Sequence, residues 1–251
     1  MSAPFDLSGK TAAITGGGRG LGLGISNALL DAGADVVVLG RNDVPAELTA
    51  HAVSLGRQVH FVAVDLADSD AIAATAQRVL ATHRVDILVN NAGTQDRYPA
   101  VDFPLEVWDR VLDINLRAVF QLCQLFGRPM LERGEGKIVN LASLLSFQGG
   151  LTVPAYAASK GAVAQLTKAL CNEWSSQGVN VNAVAPGYMA TDMNSALLAD
   201  PVRMEQLSVR IPAGRWGQPD DIGNVVVFLA SPAAGYVHGQ VLAVDGGWMA
   251  R

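Results

Sequence analysis

The stretch Thr11-Ala-Ala-Ile-Thr15-Gly16-Gly17-Gly18-Arg19-Gly20-Leu21-Gly22 decides the fold of this chain. Its apolar start predicts a short β-strand over 11–15, and the glycines after it predict a tight turn. A helix is then expected over 22–33, ended by Gly33. The next run, Asp35-Val-Val-Val-Leu39, is continuously apolar and β-branched, which is typical of a strand buried on both faces. This order indicates a parallel βαβ unit.

The same alternation continues to the end of the chain. Further strands are predicted over 59–64, 85–89, 137–141, 179–185 and 241–244. Helices are predicted over 44–56, from Asp68 onward, over 105–128 as one long helix or a pair, over 154–174 and over 219–231. No linker or change of composition divides the chain. The sequence therefore predicts the α/β class. We expect a single domain over 1–251 with a Rossmann-type doubly wound fold, in which a seven-stranded parallel sheet carries helices on both faces.

Composition limits the class of protein and its partners. Half of the 251 residues are apolar, 16% are charged, and the formal net charge is −5. These values exclude a disordered chain, and the negative charge disfavours nucleic acid as a partner. No apolar run approaches the roughly 18 residues of a membrane span, so no membrane association is expected. The first residues lack the pattern of a secretory signal.

Cysteine and histidine spacing gives no sign of a disulfide or a metal site. Cys123 and Cys171 lie outside any C-x-x-C pair, so we expect buried thiols in a reducing cytoplasm. The four histidines have no metal-ligand spacing among themselves or with the cysteines. A cytoplasmic protein without a bound metal is therefore expected.

The glycine turn has the spacing of an anion-binding loop. The common dinucleotide pattern G-x-G-x-x-G does not fit from Gly16, because Leu21 stands at the last glycine position. Gly16, Gly20 and Gly22 instead fit G-x-x-x-G-x-G. This spacing allows a tight turn, a close approach of the backbone to a pyrophosphate, and a helix N-terminus aimed at it. A dinucleotide cofactor is therefore expected, although a glycine loop alone also fits an ordinary strand–helix turn.

The end of the second strand bears on the choice of cofactor. Dinucleotide sites usually carry an acid there that binds the ribose hydroxyls, whereas this chain has Gly40 followed by Arg41. A guanidinium can bind a 2′-phosphate through two hydrogen bonds, and Arg19 can add a second donor. The pattern favours NADP(H). If Arg41 is only a solvated loop residue, NAD(H) remains the alternative.

Three further clusters follow predicted strands. Asn90-Asn91-Ala92-Gly93 follows the fourth strand, Ser143 follows the fifth, and Tyr156-Ala-Ala-Ser-Lys160 begins the next helix. Tyr156 and Lys160 are four residues apart and share one helix face. An ammonium on that face would lower the tyrosine pKa from its ordinary value near 10, so that the phenol can exchange a proton with an alcohol or carbonyl oxygen. A lone Tyr-x-x-x-Lys is also a common helix pair, but the combination of clusters argues against that reading.

With these motifs in order, the chain resembles the short-chain dehydrogenase/reductase family from end to end. The resemblance implies that Tyr156 is the general acid/base, that Lys160 lowers its pKa and holds the nicotinamide ribose, and that Ser143 binds the reacting oxygen. It implies that Asn115 anchors a water in a proton relay. It also implies a homotetramer, with interfaces formed by the long helices at 105–128 and 154–174 and by residues 241–251.

The resemblance divides the chain by role. A cofactor-binding part covers about 1–150, and a catalytic and substrate-lid part covers about 141–251. Arg19 and Arg41 are candidate cofactor contacts from their own chemistry. With the other candidates added, the expected cofactor contacts are Gly16, Arg19, Gly20, Leu21, Gly22, Arg41, Asp65, Leu66, Asn91, Ala92, Gly93, Tyr156, Lys160, Pro186, Gly187, Met189 and Thr191.

The second half is most similar to the 2-deoxy-D-gluconate 3-dehydrogenases and 2-dehydro-3-deoxy-D-gluconate 5-dehydrogenases of this family. The similarity lies in residues 141–150, 185–191, 211–217 and 244–251. It implies hydride transfer between nicotinamide and a secondary alcohol or ketone of a sugar acid. Arg97 is then the candidate for the substrate carboxylate, Gln148 and Tyr188 are candidates for its hydroxyls, and 188–210 is the expected lid.

Other functions remain open on the same chemistry. They are gluconate 5-dehydrogenase, 3-ketoacyl reductase and a broad carbonyl reductase. A dinucleotide-binding module without activity is disfavoured, because both Tyr156 and Lys160 are present.

Overall fold

The structure, a computed structural model, describes residues 4–191, 194, 197 and 199–251. Within these residues, seven strands form one sheet: β1 (Thr11–Thr15), β2 (Asp35–Gly40), β3 (Val59–Ala63), β4 (Ile87–Asn90), β5 (Gly136–Leu141), β6 (Val179–Pro186) and β7 (Val241–Val244). All neighbouring strands are parallel, in the order β3-β2-β1-β4-β5-β6-β7. The predicted fold class is confirmed.

Helices cover both faces of the sheet. They are α1 (Gly20–Asp31), α2 (Ala46–Ser54), α3 (Ser69–Thr82), α4 (Leu105–Leu112), α5 (Ala118–Arg133), α6 (Pro154–Trp174), α7 (Pro201–Ser208) and α8 (Pro219–Ala230). The strand β2 shows the two faces directly, because Val36 and Val38 lie in one hydrophobic core and Val37 and Leu39 in another. The first core contains residues of α1 and α8, and the second contains residues of α3, α5 and α6. A strand buried on both faces needs apolar residues without alternation, which explains the run at 35–39.

The first helix differs from the prediction at both ends, whereas the start of α3 agrees with it. The first begins at Gly20 and ends at Asp31, two residues earlier than expected at both ends, with Gly33 at φ +96° in the turn that follows. The Asp68 side chain accepts hydrogen bonds from the backbone N–H groups of Asp70 (2.9 Å) and Ala71 (3.0 Å), so the predicted start of α3 is confirmed.

The long helical stretch from residue 105 is a pair of helices, α4 and α5, joined by one wide turn. Residues Asp113–Arg117 form a π-helical turn between α4 and α5. The second helix passes Pro129 and ends at Arg133, five residues beyond the predicted end at 128. It ends where Gly134 adopts a left-handed conformation at φ +71°. Pro129 costs one backbone hydrogen bond without ending the helix, because the apolar face continues to the buried Met130.

The strand order places one crevice at the carboxyl edge of the sheet. The order reverses between β1 and β4, which are direct neighbours although two strands separate them in sequence. In open α/β sheets, ligands bind where the order reverses, outside the carboxyl ends of the strands. The glycine turn after β1 and the Asn-Asn-Ala-Gly segment after β4 therefore face each other across this crevice.

None of the helices in the described part of the chain is long and apolar enough to cross a membrane.

Candidate active site

The glycine loop after β1 contains positions where any side chain larger than that of glycine would clash with its neighbours. Gly16 has φ +66°, which favours glycine. A Cβ atom on Gly22 would lie 2.0 Å from the carbonyl oxygen of Gly16, and one on Gly17 would lie 2.7 Å from Ser26 Oγ. Ser26 Oγ donates to the carbonyl of Gly17 at 2.9 Å and fixes the turn against α1.

The N-terminus of α1 suits a negatively charged ligand. No described side chain caps this end of the helix, and its first turn carries no acidic residue. The first backbone N–H groups of a helix lack partners within the helix and favour anions. Because the loop is closely packed and the helix end is uncapped, these residues fit the pyrophosphate of a dinucleotide.

Asn91 ties the end of β4 to the glycine loop. Its Nδ2 donates to the carbonyl of Thr15 at 2.9 Å, and its backbone N–H donates to Thr15 Oγ1 at 3.0 Å. The N–H of Ala92 donates to the same hydroxyl at 2.9 Å. Thr15 was not among the predicted site residues. It ends the first strand with a β-branched residue, and nothing in the sequence marks its hydroxyl as an acceptor.

The segment after β6 closes the other side of the crevice. A Cβ atom on Gly187 would lie 2.6 Å from Asp245 Cα, and the Gly187 N–H donates to the Val244 carbonyl at 2.9 Å. Farther along, a Cβ atom on Gly20 would have Thr191 Cβ as its nearest neighbour, at 3.9 Å. Thr191 therefore lies over the start of α1, as a residue bordering a bound dinucleotide should.

Met189 joins this segment to the loop before α8. It is buried and forms an isolated parallel bridge with Gly217. The Ala190 N–H donates to the Gly217 carbonyl, and the Gly217 N–H donates to the Tyr188 carbonyl, both at 2.9 Å. Residues 192, 193, 195, 196 and 198 of the expected lid lie outside the described residues.

The candidate residues for the adenosine end are Arg19 in the glycine loop and three residues that follow β2 and β3. Arg19, Arg41 and Asp65 are exposed, and Leu66 is partly buried. A Cβ atom on Gly40 would meet no atom nearer than the Gly16 backbone nitrogen at 4.0 Å, so open space lies beside the end of β2. This space and the exposed guanidinium of Arg41 fit an adenosine 2′-phosphate.

The Tyr156–Lys160 pair lies at the start of α6. Pro154 occupies the first turn of this helix, where its missing N–H costs nothing. Lys160 is 3% exposed, and its Nζ donates to the carbonyl of Leu141 at the end of β5. The Nζ atom lies 5.7 Å from the centre of the Tyr156 ring. The sheet therefore fixes the lysine, and the helix places the tyrosine one turn away.

Ser143 and Ser146 connect the end of β5 to this helix. Ser143 Oγ accepts the Leu145 N–H at 3.2 Å, and the Ser143 N–H donates to Ser146 Oγ at 3.3 Å. Ser146 Oγ donates in turn to the Lys160 carbonyl at 2.6 Å. Ser146 was missed at the sequence level, although a second serine three residues after Ser143 is the spacing of a capping box.

Asn115 lies in the π-helical turn and is fully buried. Its Oδ1 accepts the Thr94 N–H at 2.8 Å, and its Nδ2 donates to the Thr94 carbonyl at 2.9 Å and to Ser159 Oγ at 3.1 Å. A Cβ atom on Gly93 would lie 3.4 Å from Asn115 Oδ1 and 3.7 Å from Lys160 Nζ. The fold thus brings Asn115, Lys160 and Gly93 together.

Burial dominates the electrostatics of this group. Burial lowers the pKa of Lys160 to about 8. Burial also raises the pKa of Tyr156 above its ordinary value, and a hydrogen bond with the Ser143 side chain acts in the opposite direction. The expected lowering of the tyrosine pKa by Lys160 is therefore not seen in this structure, because desolvation of the phenolate outweighs the favourable contacts.

The three candidate substrate residues, Arg97, Gln148 and Tyr188, have fewer contacts with the rest of the site. Arg97 and Gln148 are exposed on two loops, which meet where the Tyr98 N–H donates to the Thr152 carbonyl at 3.0 Å. No contact given by the structure joins either side chain to Tyr156. Tyr188 packs against Trp216 and Trp248, with ring centres 5.5 Å and 4.7 Å away. This aromatic cluster also contains Leu144, the residue after Ser143.

No group of three or more His, Cys, Asp or Glu side chains in the described ranges can hold a metal ion. The Cys123 thiol is buried, which raises its pKa to about 12.

Comparison with known proteins identifies the family. A family profile described as enoyl-(acyl carrier protein) reductase matches residues 16–249. The 2-dehydro-3-deoxy-D-gluconate 5-dehydrogenase of Bacillus subtilis (strain 168) is 51% identical over 98% of this chain and 97% of its own. The chain belongs to the short-chain dehydrogenase/reductase family. The Escherichia coli (strain K12) protein of the same name is 46% identical to this family member, over 98% of both chains.

Solved structures of related proteins share the whole fold of this short-chain dehydrogenase/reductase. The gluconate 5-dehydrogenase of Burkholderia cenocepacia J2315, in complex with NADP and tartrate, has a TM-score of 0.94 at 40% identity, over 99% of this chain and 98% of its own. A Beutenbergia cavernae protein with NADP bound at low occupancy has a TM-score of 0.96 at 51% identity, over 99% and 100%. The predicted family is confirmed, and NADP in both relatives agrees with the cofactor that the sequence favours.

Replacing Lys160 by methionine is expected to stabilise the cofactor-free protein, because it removes a buried ammonium. With a pKa of about 8 in place of 10.5, the folded chain binds fewer protons than the unfolded chain between these pH values, so its stability rises with pH there. The gain in free energy of unfolding is about 1–3 kcal/mol at pH 7 and decreases as the pH rises from about 8 to 10.

Urea unfolding at several pH values measures this gain. The exposed Lys168 on the same helix provides the control, since Lys168→Met should change stability by less than about 0.5 kcal/mol at every pH. A stability difference for Lys160→Met that does not vary with pH would contradict the assignment of a buried charge.

Proposed function

We propose that this protein is an NADP(H)-dependent oxidoreductase of sugar acids. It transfers a hydride between nicotinamide and a secondary alcohol or ketone of a substrate such as 2-dehydro-3-deoxygluconate or 2-deoxygluconate. The observation that carries the proposal is the convergence of Ser143, Tyr156 and Lys160 beside an uncapped helix N-terminus and a glycine loop. The relatives with this activity in their names, 46–51% identical along the whole chain, supply the substrate class.

The protein side of the reaction is proton transfer and positioning. A nicotinamide bound in the crevice would supply or accept the hydride. In the reducing direction, the Tyr156 hydroxyl donates its proton to the carbonyl oxygen, and the Ser143 hydroxyl donates a hydrogen bond to the same oxygen. In the oxidising direction, Tyr156 takes the proton of the alcohol. Lys160 is held on the sheet by Leu141 and supports the charge that forms on the tyrosine oxygen.

Asn115 has two proposed roles. Its side chain holds Thr94 and Ser159, and Ser159 Oγ donates to the Tyr156 carbonyl at 2.8 Å. The asparagine therefore helps to position the helix end that carries Tyr156. Its π-helical turn is the proposed anchor of a water molecule in the proton relay, in keeping with the frequent occurrence of such turns at functional sites.

The cofactor contacts form three groups around the crevice. The pyrophosphate side comprises Gly16, Gly20, Leu21 and Gly22. The adenosine side comprises Arg19, Arg41, Asp65 and Leu66. The ribose and nicotinamide side comprises Asn91, Ala92, Gly93, Tyr156, Lys160, Pro186, Gly187, Met189 and Thr191.

The substrate is proposed to bind through Arg97, Gln148 and Tyr188. A sugar acid carries one carboxylate, and the exposed guanidinium of Arg97 can bind it through two hydrogen bonds. Gln148 and Tyr188 can meet hydroxyl groups. A second candidate function is gluconate 5-oxidation, which is favoured by a Gluconobacter oxydans relative of that name at 41% identity.

Further properties complete the proposal. The cofactor-binding part covers about 1–150, and the catalytic and lid part covers about 141–251. The cytoplasm is the proposed location, because its reducing conditions suit the buried free thiols Cys123 and Cys171.

A homotetramer is proposed because apolar side chains lie exposed on the expected interface elements. Leu105 is 75% exposed, Phe120 41% and Leu242 37%.

Tyr156→Phe is expected to lower kcat by about 10²–10⁴-fold, because it removes the group that moves the proton. Absorbance of the reduced nicotinamide, followed with a panel of 2-dehydro-3-deoxygluconate, 2-deoxygluconate and gluconate, measures the loss. Binding of NADPH should stay within about twofold of the wild type. Tyr236 is 99% exposed, so Tyr236→Phe serves as the matched control. Unchanged turnover in Tyr156→Phe would disprove the mechanism.

Arg41→Ala is expected to weaken NADP binding by about 10–100-fold, because a hydrogen bond to a charged phosphate contributes about 1.5–3 kcal/mol. The affinity for NAD should change little. Isothermal titration with both nucleotides tests this, with Arg128→Ala as an exposed arginine control on α5. Equal losses for NADP and NAD would refute the 2′-phosphate assignment.

The protein is expected to elute as a tetramer, with a mass about four times 26.3 kDa by light scattering. Leu105→Glu should reduce this mass, because it places a charge in an apolar interface. Val202 on α7 is 64% exposed but lies outside the expected interfaces, so Val202→Glu should leave the mass unchanged. A monomeric mass for the wild type would refute the tetramer.

A further inference from the structure

The loop over residues 93–98 begins against the catalytic group. A Cβ atom on Gly93 would lie 3.7 Å from Lys160 Nζ. The next residue, Thr94, has both its backbone N–H and its carbonyl bound by the Asn115 side chain, at 2.8 Å and 2.9 Å. The start of the loop is therefore fixed by the same side chains that surround Tyr156.

The rest of the loop is fixed at every second residue. Asp96 forms an ion pair with Arg110 at 2.9 Å. Tyr98 donates its N–H to the Thr152 carbonyl at 3.0 Å, and its ring packs edge-on against Phe103 with the centres 5.5 Å apart. Thr94, Asp96 and Tyr98 are thus held by the protein. In the part of the chain that the structure describes, no hydrogen bond or ion pair engages the side chains of the intervening Gln95 and Arg97.

The two anchors of this loop lie on either side of Tyr156 in sequence. Gly93 lies beside Lys160, four residues after the tyrosine, and Tyr98 is bound to Thr152, four residues before it. A loop anchored at both points must pass alongside the start of α6, where the tyrosine stands. Arg97 lies between these two anchors, and its position depends on the bond between Tyr98 and Thr152.

Thr152 has an unusual backbone conformation. Its φ is +63°, and it is the one non-glycine residue with positive φ in the described ranges. A β-branched residue rarely adopts this conformation, which costs conformational energy, and strained backbone of this kind clusters at functional sites. The Thr152 hydroxyl donates to the carbonyl of Leu151 at 2.6 Å, a local bond that supports the turn. The conformation sets the direction of the carbonyl that accepts the Tyr98 N–H.

We propose that Thr152 is a positioning residue for substrate binding: its left-handed backbone directs the carbonyl that anchors Tyr98 and thereby holds Arg97 where the carboxylate of the substrate binds. Thr152 itself touches neither substrate nor cofactor in this role. The proposal rests on the proposed sugar-acid function and assigns the recognition of the acid group to a backbone conformation. Loss of this conformation affects anionic substrates and spares neutral ones.

Thr152→Pro and Thr152→Gly form the test pair. Proline cannot adopt positive φ, whereas glycine adopts it without strain. Initial rates are measured with 2-dehydro-3-deoxygluconate and with a neutral polyol such as galactitol. We expect Thr152→Pro to raise KM for the acid about tenfold, the loss of about one charge-assisted hydrogen bond, with kcat within about twofold of the wild type. We expect the KM of Thr152→Pro for the polyol to stay unchanged. Thr152→Gly should keep the wild-type KM for both the acid and the polyol.

The double variant Thr152→Pro/Arg97→Ala shows whether Thr152 acts through Arg97. Arg97→Ala alone should raise KM for the acid at least as much as Thr152→Pro does. Adding the proline to it should change KM no further, because residues that act as one unit are not additive. Additive effects overturn the proposal, and so does an equal rise of KM for the acid and the polyol.

Two further measurements apply if Thr152→Pro does not fold or if the wild type does not turn over a sugar acid. If Thr152→Pro does not fold by circular dichroism, Thr152→Val and Thr152→Ser replace it, since valine lacks the hydroxyl that bonds Leu151 and serine keeps it. A higher KM for the acid in Thr152→Val but not in Thr152→Ser supports the proposal. Equal KM values for the acid in these two variants overturn it. Absence of wild-type turnover with every sugar acid overturns the proposed function, and the role of Thr152 with it. Normal wild-type turnover with an unchanged KM in Thr152→Pro overturns the positioning role alone.

Discussion

The parallel pairing of β1 with β4 is the constraint on which the site depends. Ala12, Ala13 and Ile14 pair with Ile87, Leu88 and Val89. The connection after β1 leads outward towards β2, and the connection after β4 leads the other way towards β5, so the chain leaves a crevice between them. The hydrogen bonds from Asn91 to Thr15 fix its floor. If this register moved by one residue, the glycine loop and the Asn-Asn-Ala-Gly segment would no longer meet.

A buried polar network transmits this order to the catalytic helix. Asn90 at the end of β4 donates to Asn140 Oδ1 at 2.8 Å, and Asn140 donates to Thr167 Oγ1 on α6 at 3.0 Å. Lys160 on the same helix donates to the Leu141 carbonyl. Polar groups buried this deeply cost free energy unless they are paired, so they hold α6 in one register against the sheet. These bonds therefore fix the position of Tyr156 on α6.

The sequence predicts the sheet well, because burial on both faces of a strand requires a continuous apolar run such as the one at 35–39. It predicts the helix at 105–128 less well, since Pro129 indicates an end that the buried Met130 overrides. The grouping of Ser143, Tyr156 and Lys160 is expected because they follow parallel strands, whose ends meet at one edge of the sheet. Asn115 lies in a helical turn and is expected there only from the family resemblance. Thr15 could not be assigned in this way, because its hydroxyl acts through contacts with a distant segment and nothing in the sequence marks them. The capping-box spacing connects Ser146 with Ser143, but the sequence does not show its bond to the Lys160 carbonyl. The left-handed Thr152 has no sequence signal, since the residue type argues against its conformation.

The cofactor side and the substrate side of the site are built differently. Gly16, Asn91 and Lys160 lie on strand ends or within a helix, where ladders and buried bonds fix them. Arg97 and Gln148 lie on exposed loops that are joined by a single backbone bond, from Tyr98 to Thr152. Substitutions in such loops leave the sheet and the proton-transfer group intact. The same chemistry can therefore serve different polyhydroxylated substrates within one fold, as the names of the gluconate and galactitol relatives at 40–41% identity indicate. Under the proposed role of Arg97, the selection of an acid depends on how firmly the loop over residues 93–98 is held.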